Sequence, residues 1–396
     1  MNGGFFMSAT SQFLLTLGGV LLLGLLTSEL GRRTFLPRVT LLLIFGALIG
    51  PEALDIIPDV FSERFDIIAN MALLMVGFLL GGKLTRDSFD HSVKKILWIS
   101  ITAAVFTTLI VSLSLFWAGV SLGIAILLGC IAAATDSAAI LDVTIEQNYR
   151  GPFKTILLSI VALDDAWALI LFSFGIAIVT KLNGASQESA SILIALREIG
   201  GSILLGLVIG FPAAYLTGRV KQGQPILTEA LGLVFLCGGL AAWLDLSFLI
   251  ASMVMGMIIT NFAKHHDYPF HAIENIEWPV MVVFFVLAGA SLDFSALYDI
   301  GLIGLIFLIS RAIGKYVGAL LGSELSHTES KTRQWIGIAL LPQAGVAIGM
   351  ALVASNQFPE YRQMLLSITI SSTVIFEIIG PVFTRLALQK TSTQDK

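Results

Sequence analysis

Ile156-Leu-Leu-Ser-Ile-Val-Ala-Leu-Asp-Asp-Ala-Trp-Ala-Leu-Ile-Leu-Phe172 is an apolar run interrupted at its centre by two adjacent carboxylates, Asp164 and Asp165. A run of this length and hydropathy reads as part of a membrane-spanning helix. An ionised side chain at mid-bilayer costs roughly 2.5–3.5 kcal/mol even on lenient insertion scales, so the pair needs a purpose. The available purposes are an ion pathway, a proton relay or a structural ion pair.

The rest of the chain agrees with a membrane setting. Only 13% of the 396 residues are charged, 56% are hydrophobic, and mean hydropathy is +0.90. A soluble domain carries about 25% charged residues, so the composition excludes one and points to an all-α polytopic membrane protein. Cys130 and Cys237 both lie in apolar segments, which argues against a disulfide framework. The first apolar run lacks a preceding basic region and reads as a retained helix. No Walker motif, dinucleotide glycine fingerprint or metal-ligand spacing is present, so no cofactor and no nucleic-acid partner is expected.

Thirteen apolar segments are long enough, or nearly so, to cross a hydrocarbon core of ~30 Å. They cover 10–30, 37–54, 65–82, 94–117, 120–142, 153–180, 190–217, 225–244, 247–263, 276–294, 297–322, 334–355 and 363–388. With the N-terminus outside and the C-terminus cytoplasmic, seventeen of the 23 Lys and Arg fall on the cytoplasmic side. The positive-inside rule therefore selects that orientation.

An odd number of spans suggests two six-helix halves of opposite topology joined by a linker helix, an arrangement common in transporters. The expected organisation is a single transmembrane domain over 1–396, with a first repeat at 1–180, a linker at 181–224 and an inverted repeat at 225–396. The fifth span of each half carries a helix-breaking patch. The first is Ala132-Ala-Ala-Thr-Asp-Ser-Ala-Ala139, with Thr135 and Asp136 among small residues. The second is Leu341-Pro-Gln-Ala-Gly-Val-Ala-Ile-Gly349, with Pro342, Gln343 and Gly345 in mid-span. The next span brings an acid in each half, Asp164-Asp165 in one and Glu377 in the other.

Neighbouring helix residues point about 100° apart, so Asp164 and Asp165 cannot both face one partner. A partly desolvated carboxylate holds a proton more readily than one in water, and deprotonated it can hold a small cation. Proton and cation competing for one carboxylate is a minimal antiport mechanism. The plainer reading is that one or both acids only pair with buried cations. Arg311 and Lys315 supply such cations, at an i,i+4 spacing on one helix face. Lys loses its proton on burial and Arg effectively does not, so Lys315 suits a titrating role and Arg311 a fixed pair.

Asp136 reads equally well as compensation for a half-helix dipole or as an ion ligand. Gln343 is a neutral polar candidate in the second break. Glu377 reads as structural, with Arg311 as a candidate partner. Asp245, Asp293 and Glu29 read as interfacial or solvated. His265, His266 and His271 fall in one polar connection, where a wet loop is a better reading than a pH-sensing patch.

Ala133-Ala-Thr-Asp-Ser137 followed by Leu163-Asp-Asp-Ala166 resembles the monovalent cation/proton antiporters, of the antiporter-2 type with an aspartate pair. Arg311-Ala-Ile-Gly-Lys-Tyr-Val-Gly318 and Leu341-Pro-Gln-Ala-Gly-Val-Ala-Ile-Gly349 add to the likeness, in the same order along the chain. The resemblance implies two crossing, unwound helices in a core that moves like an elevator against a dimerisation domain. It implies a homodimer in the bacterial inner membrane, exchanging Na⁺, or Li⁺ or K⁺, for protons. Asp165 would be the main cation and proton carrier, and Asp164 would pair with Lys315. Thr135 and Asp136 would sit at the crossing.

Other classes fit less well. An intramembrane aspartyl protease needs two carboxylates sharing a proton across a short gap, for which adjacent helix residues are badly placed. That leaves Asp136 with Asp165 as the plausible dyad, and no glycine-rich protease signature accompanies it. A channel or a sodium-coupled organic-anion symporter on the same scaffold remains compatible with buried acids.

Overall fold

The computed structural model describes residues 9–33, 38–51, 53–58, 65–84, 93–146, 151–182, 190–217, 226–263, 267–290, 301–343 and 345–391. The described residues form fifteen α-helices and no strand. In chain order they are α1 (Ala9–Arg33), α2 (Arg38–Ile49), α3 (Phe65–Lys83), α4 (Val93–Trp117) and α5 (Leu122–Ala132). Next come α6 (Ser137–Glu146), α7 (Pro152–Leu182), α8 (Ala190–Thr217), α9 (Ile226–Trp243) and α10 (Phe248–Phe262). The last five are α11 (Asp267–Ala290), α12 (Gly301–Leu325), α13 (Ser330–Ala339), α14 (Gly345–Gln357) and α15 (Arg362–Thr391). Stretches of α4, α7, α8, α11, α12 and α15 are long and apolar enough to cross a membrane.

Side-chain burial explains the high hydropathy. Leu14, Leu15, Leu22, Leu25 and Leu26 of α1 are each more than half exposed, an outward apolar face that suits lipid. The helices pack as two groups. One comprises α4–α7 with α12–α15, the other α1–α3 with α8–α11. The groups meet where α7 lies on α8 and α3, α2 on α15 and α3 on α14. The largest apolar cluster crosses that seam, joining Leu42, Leu73 and Phe284 to Leu127, Ala351 and Ile370.

Close approach within the first group depends on glycine. Gly314, Gly318 and Gly322 recur every four residues on α12, on the face against α4. A Cβ on Gly318 would come within 2.5 Å of the Thr102 carbonyl oxygen.

Two boundaries differ from those expected. The helix expected over 276–294 begins at Asp267, so Asp267–His271 is helical and not loop. Proline is tolerated in a first turn, where Pro269 sits, and the Phe270 ring stacks on Phe78 of α3 with centroids 4.6 Å apart. His271 is exposed and approaches Glu274 at 3.1 Å; His265 and His266 lie outside the described residues. The segment expected over 37–54 stops as a helix at Ile49, because Gly50 precedes Pro51 and a residue before proline avoids helical geometry. The two spans with helix-breaking patches, 120–142 and 334–355, are each two helices as expected, split at the small-residue patch and at the proline. Asp245 falls in the turn after α9 with φ of 53°, and Asp293 lies outside the described residues.

Candidate functional site

Both helix breaks have local causes. Proline lacks an N–H and clashes with the preceding turn, so α13 ends at Ala339, just before Pro342. At the other break Asp136 becomes the N-cap of α6, its Oδ1 accepting from the Ala139 N–H at 3.2 Å. The breaks touch, since the Asp136 N–H donates to the Pro342 carbonyl at 2.9 Å. α15 lets them lie close. A Cβ on Gly380 would stand 2.7 Å from Pro342 Cα.

Two helix ends with unpaired carbonyls therefore meet inside an apolar interior, which demands donors. Arg311, fully buried on α12, supplies them. Its Nε donates to Ala132 O at 3.1 Å, Nη1 to Leu341 O at 2.7 Å, and Nη2 to Ala134 O at 2.9 Å and Pro342 O at 3.4 Å. The guanidinium also lies over the Phe376 ring, 4.3 Å from its centroid. One side chain thus holds both breaks. Positive charge beside the carboxyl ends of α5 and α13 also opposes their dipoles.

Lys315, one turn further along α12, completes the cationic face. Its Nζ donates to Ala133 O at 2.6 Å, to Thr135 Oγ1 at 2.7 Å and to Asp164 Oδ2 at 2.6 Å. Thr135 Oγ1 in turn donates to Asp164 Oδ2 at 2.6 Å. Lys315 and Asp164 are both fully buried, so this pair is not screened by water. Of the two cations, Lys315 is the one that meets Asp164.

Asp165 is 1% exposed on the next position of α7. Two residues on, Trp167 Nε1 donates to Ser100 Oγ of α4 at 3.1 Å, which fixes the rotation of α7 about its axis. Asp164 Oδ1 is buried without a hydrogen-bond partner. Gln343, fully buried in the second break, has neither amide atom hydrogen-bonded. An orphaned polar group of this kind costs about 1–3 kcal/mol. A small cation and its water would satisfy such oxygens. Among the described residues no three His, Cys, Asp or Glu converge as for a divalent metal.

The expected Arg311–Glu377 pair is not formed. Arg311 is taken by backbone carbonyls, and Glu377 Oε2 accepts instead from Thr40 Oγ1 of α2 at 2.8 Å. The roles of the Ala132, Ala134 and Leu341 carbonyls, of Phe376 and of Thr40 carried no side-chain signal in the sequence. Only the helix-breaking patches hinted that backbone would be in play. Cys130 and Cys237 are free and buried.

Crossed helix breaks, clamped by an arginine beside a buried lysine–aspartate pair, define a membrane ion carrier. The profile of the family described as "Sodium/hydrogen exchanger, transmembrane" matches residues 18–390, and the chain belongs to that family. It is a transporter and not an enzyme. The chain is 22% identical over 368 residues to the Na(+)/H(+) antiporter of Enterococcus hirae, covering 90% of this chain and 94% of that one. It is 19% identical over 387 residues to the ammonium/H(+) antiporter subunit AmhT of Alkalihalophilus pseudofirmus, covering 97% of each. The fold matches the sodium proton antiporter MjNhaP1 of Methanocaldococcus jannaschii with a TM-score of 0.76 at 20% identity, over 96% of each chain.

Proposed function

We propose that the chain is a secondary antiporter exchanging cytoplasmic Na⁺ for external protons, with the two competing for Asp165. The observation that carries this reading is the buried Lys315–Asp164 contact at the crossing, with Asp165 beside it on the same helix turn. In the proposed cycle Asp165 releases its proton and binds the cation. The Lys315–Asp164 pair opens and re-forms as the site changes sides. Thr135, the unsatisfied Asp164 Oδ1 and the Gln343 amide supply further oxygens to a dehydrated cation.

The finer architecture follows the same reading. Counting α5–α6 and α13–α14 as one span each leaves thirteen spans, N-terminus outside and C-terminus cytoplasmic. The two broken spans hold corresponding places in two inverted repeats. The group containing the breaks would shift against the other group. A homodimer in the bacterial inner membrane, serving sodium and pH homeostasis, is the assembly and setting this implies.

Cation-induced proton flux in proteoliposomes, read with a pH-sensitive dye, tests the proposal. Wild type should collapse a preset pH gradient on addition of Na⁺, with Li⁺ and K⁺ ranked in the same assay. Asp165→Asn should lose that response while remaining folded. Exchange at the wild-type rate in Asp165→Asn would sink the site assignment. No proton movement with any monovalent cation would turn attention to sodium-coupled uptake of an organic anion.

A further inference from the structure

One buried acid lies outside the cluster around Lys315. Glu377 of α15 is 3% exposed, and its one described hydrogen-bond partner, Thr40, is fully buried in the first turn of α2. These helices belong to different packing groups, so the contact spans the seam along which the groups would have to move. It joins charge to a helix start. The opening turn of a helix presents free N–H groups and the positive end of its dipole, both of which favour a carboxylate over a carboxylic acid.

The charged surroundings of Glu377 sharpen the contrast. Asp136, at the break ahead of α6, lies close enough to repel it. Arg311 of α12 sits over the neighbouring Phe376 ring but spends its donors on four backbone carbonyls. Lys315 is held by Asp164. α5 and α14 contain no charged residue, and Lys331 and Arg333 of α13 lie at its far, polar end. α6 carries Asp142 and Glu146 in its second half, and Arg38 opens α2. The ionised carboxylate is thus opposed first by its own burial and then by Asp136, and held by the Thr40 hydroxyl in the first turn of α2.

We propose that Glu377 is a second proton-binding carboxyl, separate from the aspartate pair, whose ionised form fastens the two helix groups through Thr40 and whose protonation releases them. Addition of one proton to the carboxylate removes its attraction to the α2 terminus and its repulsion by Asp136 together. The exchanger's conformational step then depends on pH through a group that does not carry the cation. This rests on the exchange reading for what the release accomplishes.

The test uses the full chain in proteoliposomes, comparing wild type with Glu377→Gln, Thr40→Val and Thr40→Ser. Na⁺-driven proton exchange is followed from acid to alkaline pH. Infrared difference spectra of the same samples follow the protonated-carboxyl stretch. Glu377→Gln should lose part of the carboxyl band that grows on acidification. Its exchange profile should move by about one pH unit, the size of a tenfold change in the balance of states. Thr40→Val should move the profile by less, and Thr40→Ser should restore it.

Profiles of Glu377→Gln and Thr40→Val that superimpose on wild type after scaling would overturn the proposal, because a merely structural role lowers amplitude alone. If Glu377→Gln cannot be reconstituted, Thr40→Val against Thr40→Ser decides. Should wild type exchange no cation, the exchange reading fails. The infrared comparison then still shows whether Glu377 takes up a proton, and an unchanged carboxyl band rejects it.

Discussion

Lys315 and Asp164 illustrate why a buried pair is weak evidence of stability and strong evidence of constraint. Each is fully buried, and removing one leaves the other as an uncompensated charge. That loss is typically about 3–5 kcal/mol, whereas replacing both partners by neutral groups of similar size is close to neutral. Lys315→Met should therefore lower the thermal stability of the detergent-solubilised protein strongly. Lys315→Met with Asp164→Asn should recover most of it and still fail to exchange. Equal destabilisation by the single and double variants would show that the pair is not energetically coupled. Arg311 obeys a different rule. Its planar fork spans carbonyls from both breaks, a reach that a lysine head lacks. Arg311→Lys should destabilise by about 1.5–3 kcal/mol for each charge-assisted bond it abandons, read by the same melting experiment.

At the scale of the elements, what matters is how near helices come and where they stop. The α12 glycines let its backbone lie on α4, and that contact sets the depth at which Arg311 and Lys315 enter the crossing. Gly318→Val should push α12 outward, costing about 1–3 kcal/mol as overpacking usually does. Exchange should fall with stability, although the substitution touches neither acid. A Gly318→Val protein that melts and transports like wild type would show that α4 and α12 can separate without disturbing the site. The helix starts and stops themselves were partly legible. Pro342 and the Thr135-Asp136 patch marked both breaks, while the early start of α11 was not visible because Lys264–His271 reads as polar when its helix is judged by hydropathy alone.

Across the whole molecule the testable idea is movement of one helix group past the other. α3 and α14 belong to different groups, and a Cβ built on Gly349 would lie 3.1 Å from Leu73 Cγ, one bond from Leu73 Cβ. That places the two Cβ positions within reach of a disulfide. In a chain with Cys130→Ala and Cys237→Ala, the pair Leu73→Cys and Gly349→Cys should cross-link on oxidation. Exchange should stop when the link forms and return on reduction. Undiminished exchange in the fully oxidised protein would mean that this seam does not need to slide.

The amino-acid sequence by itself determined that the chain is helical and membrane-embedded. It marked both breaks and singled out Asp164, Asp165, Arg311 and Lys315, because charge and proline within apolar runs are conspicuous one residue at a time. Tertiary structure alone decided which of these meet. Lys315 and not Arg311 reaches Asp164, since the two lie one turn apart on α12 and only their depth against the breaks separates them. Glu377 turned to Thr40 for the same kind of reason. Hydropathy records what a side chain is, but the partner it finds depends on which helices cross beside it and which backbone carbonyls those crossings leave unpaired.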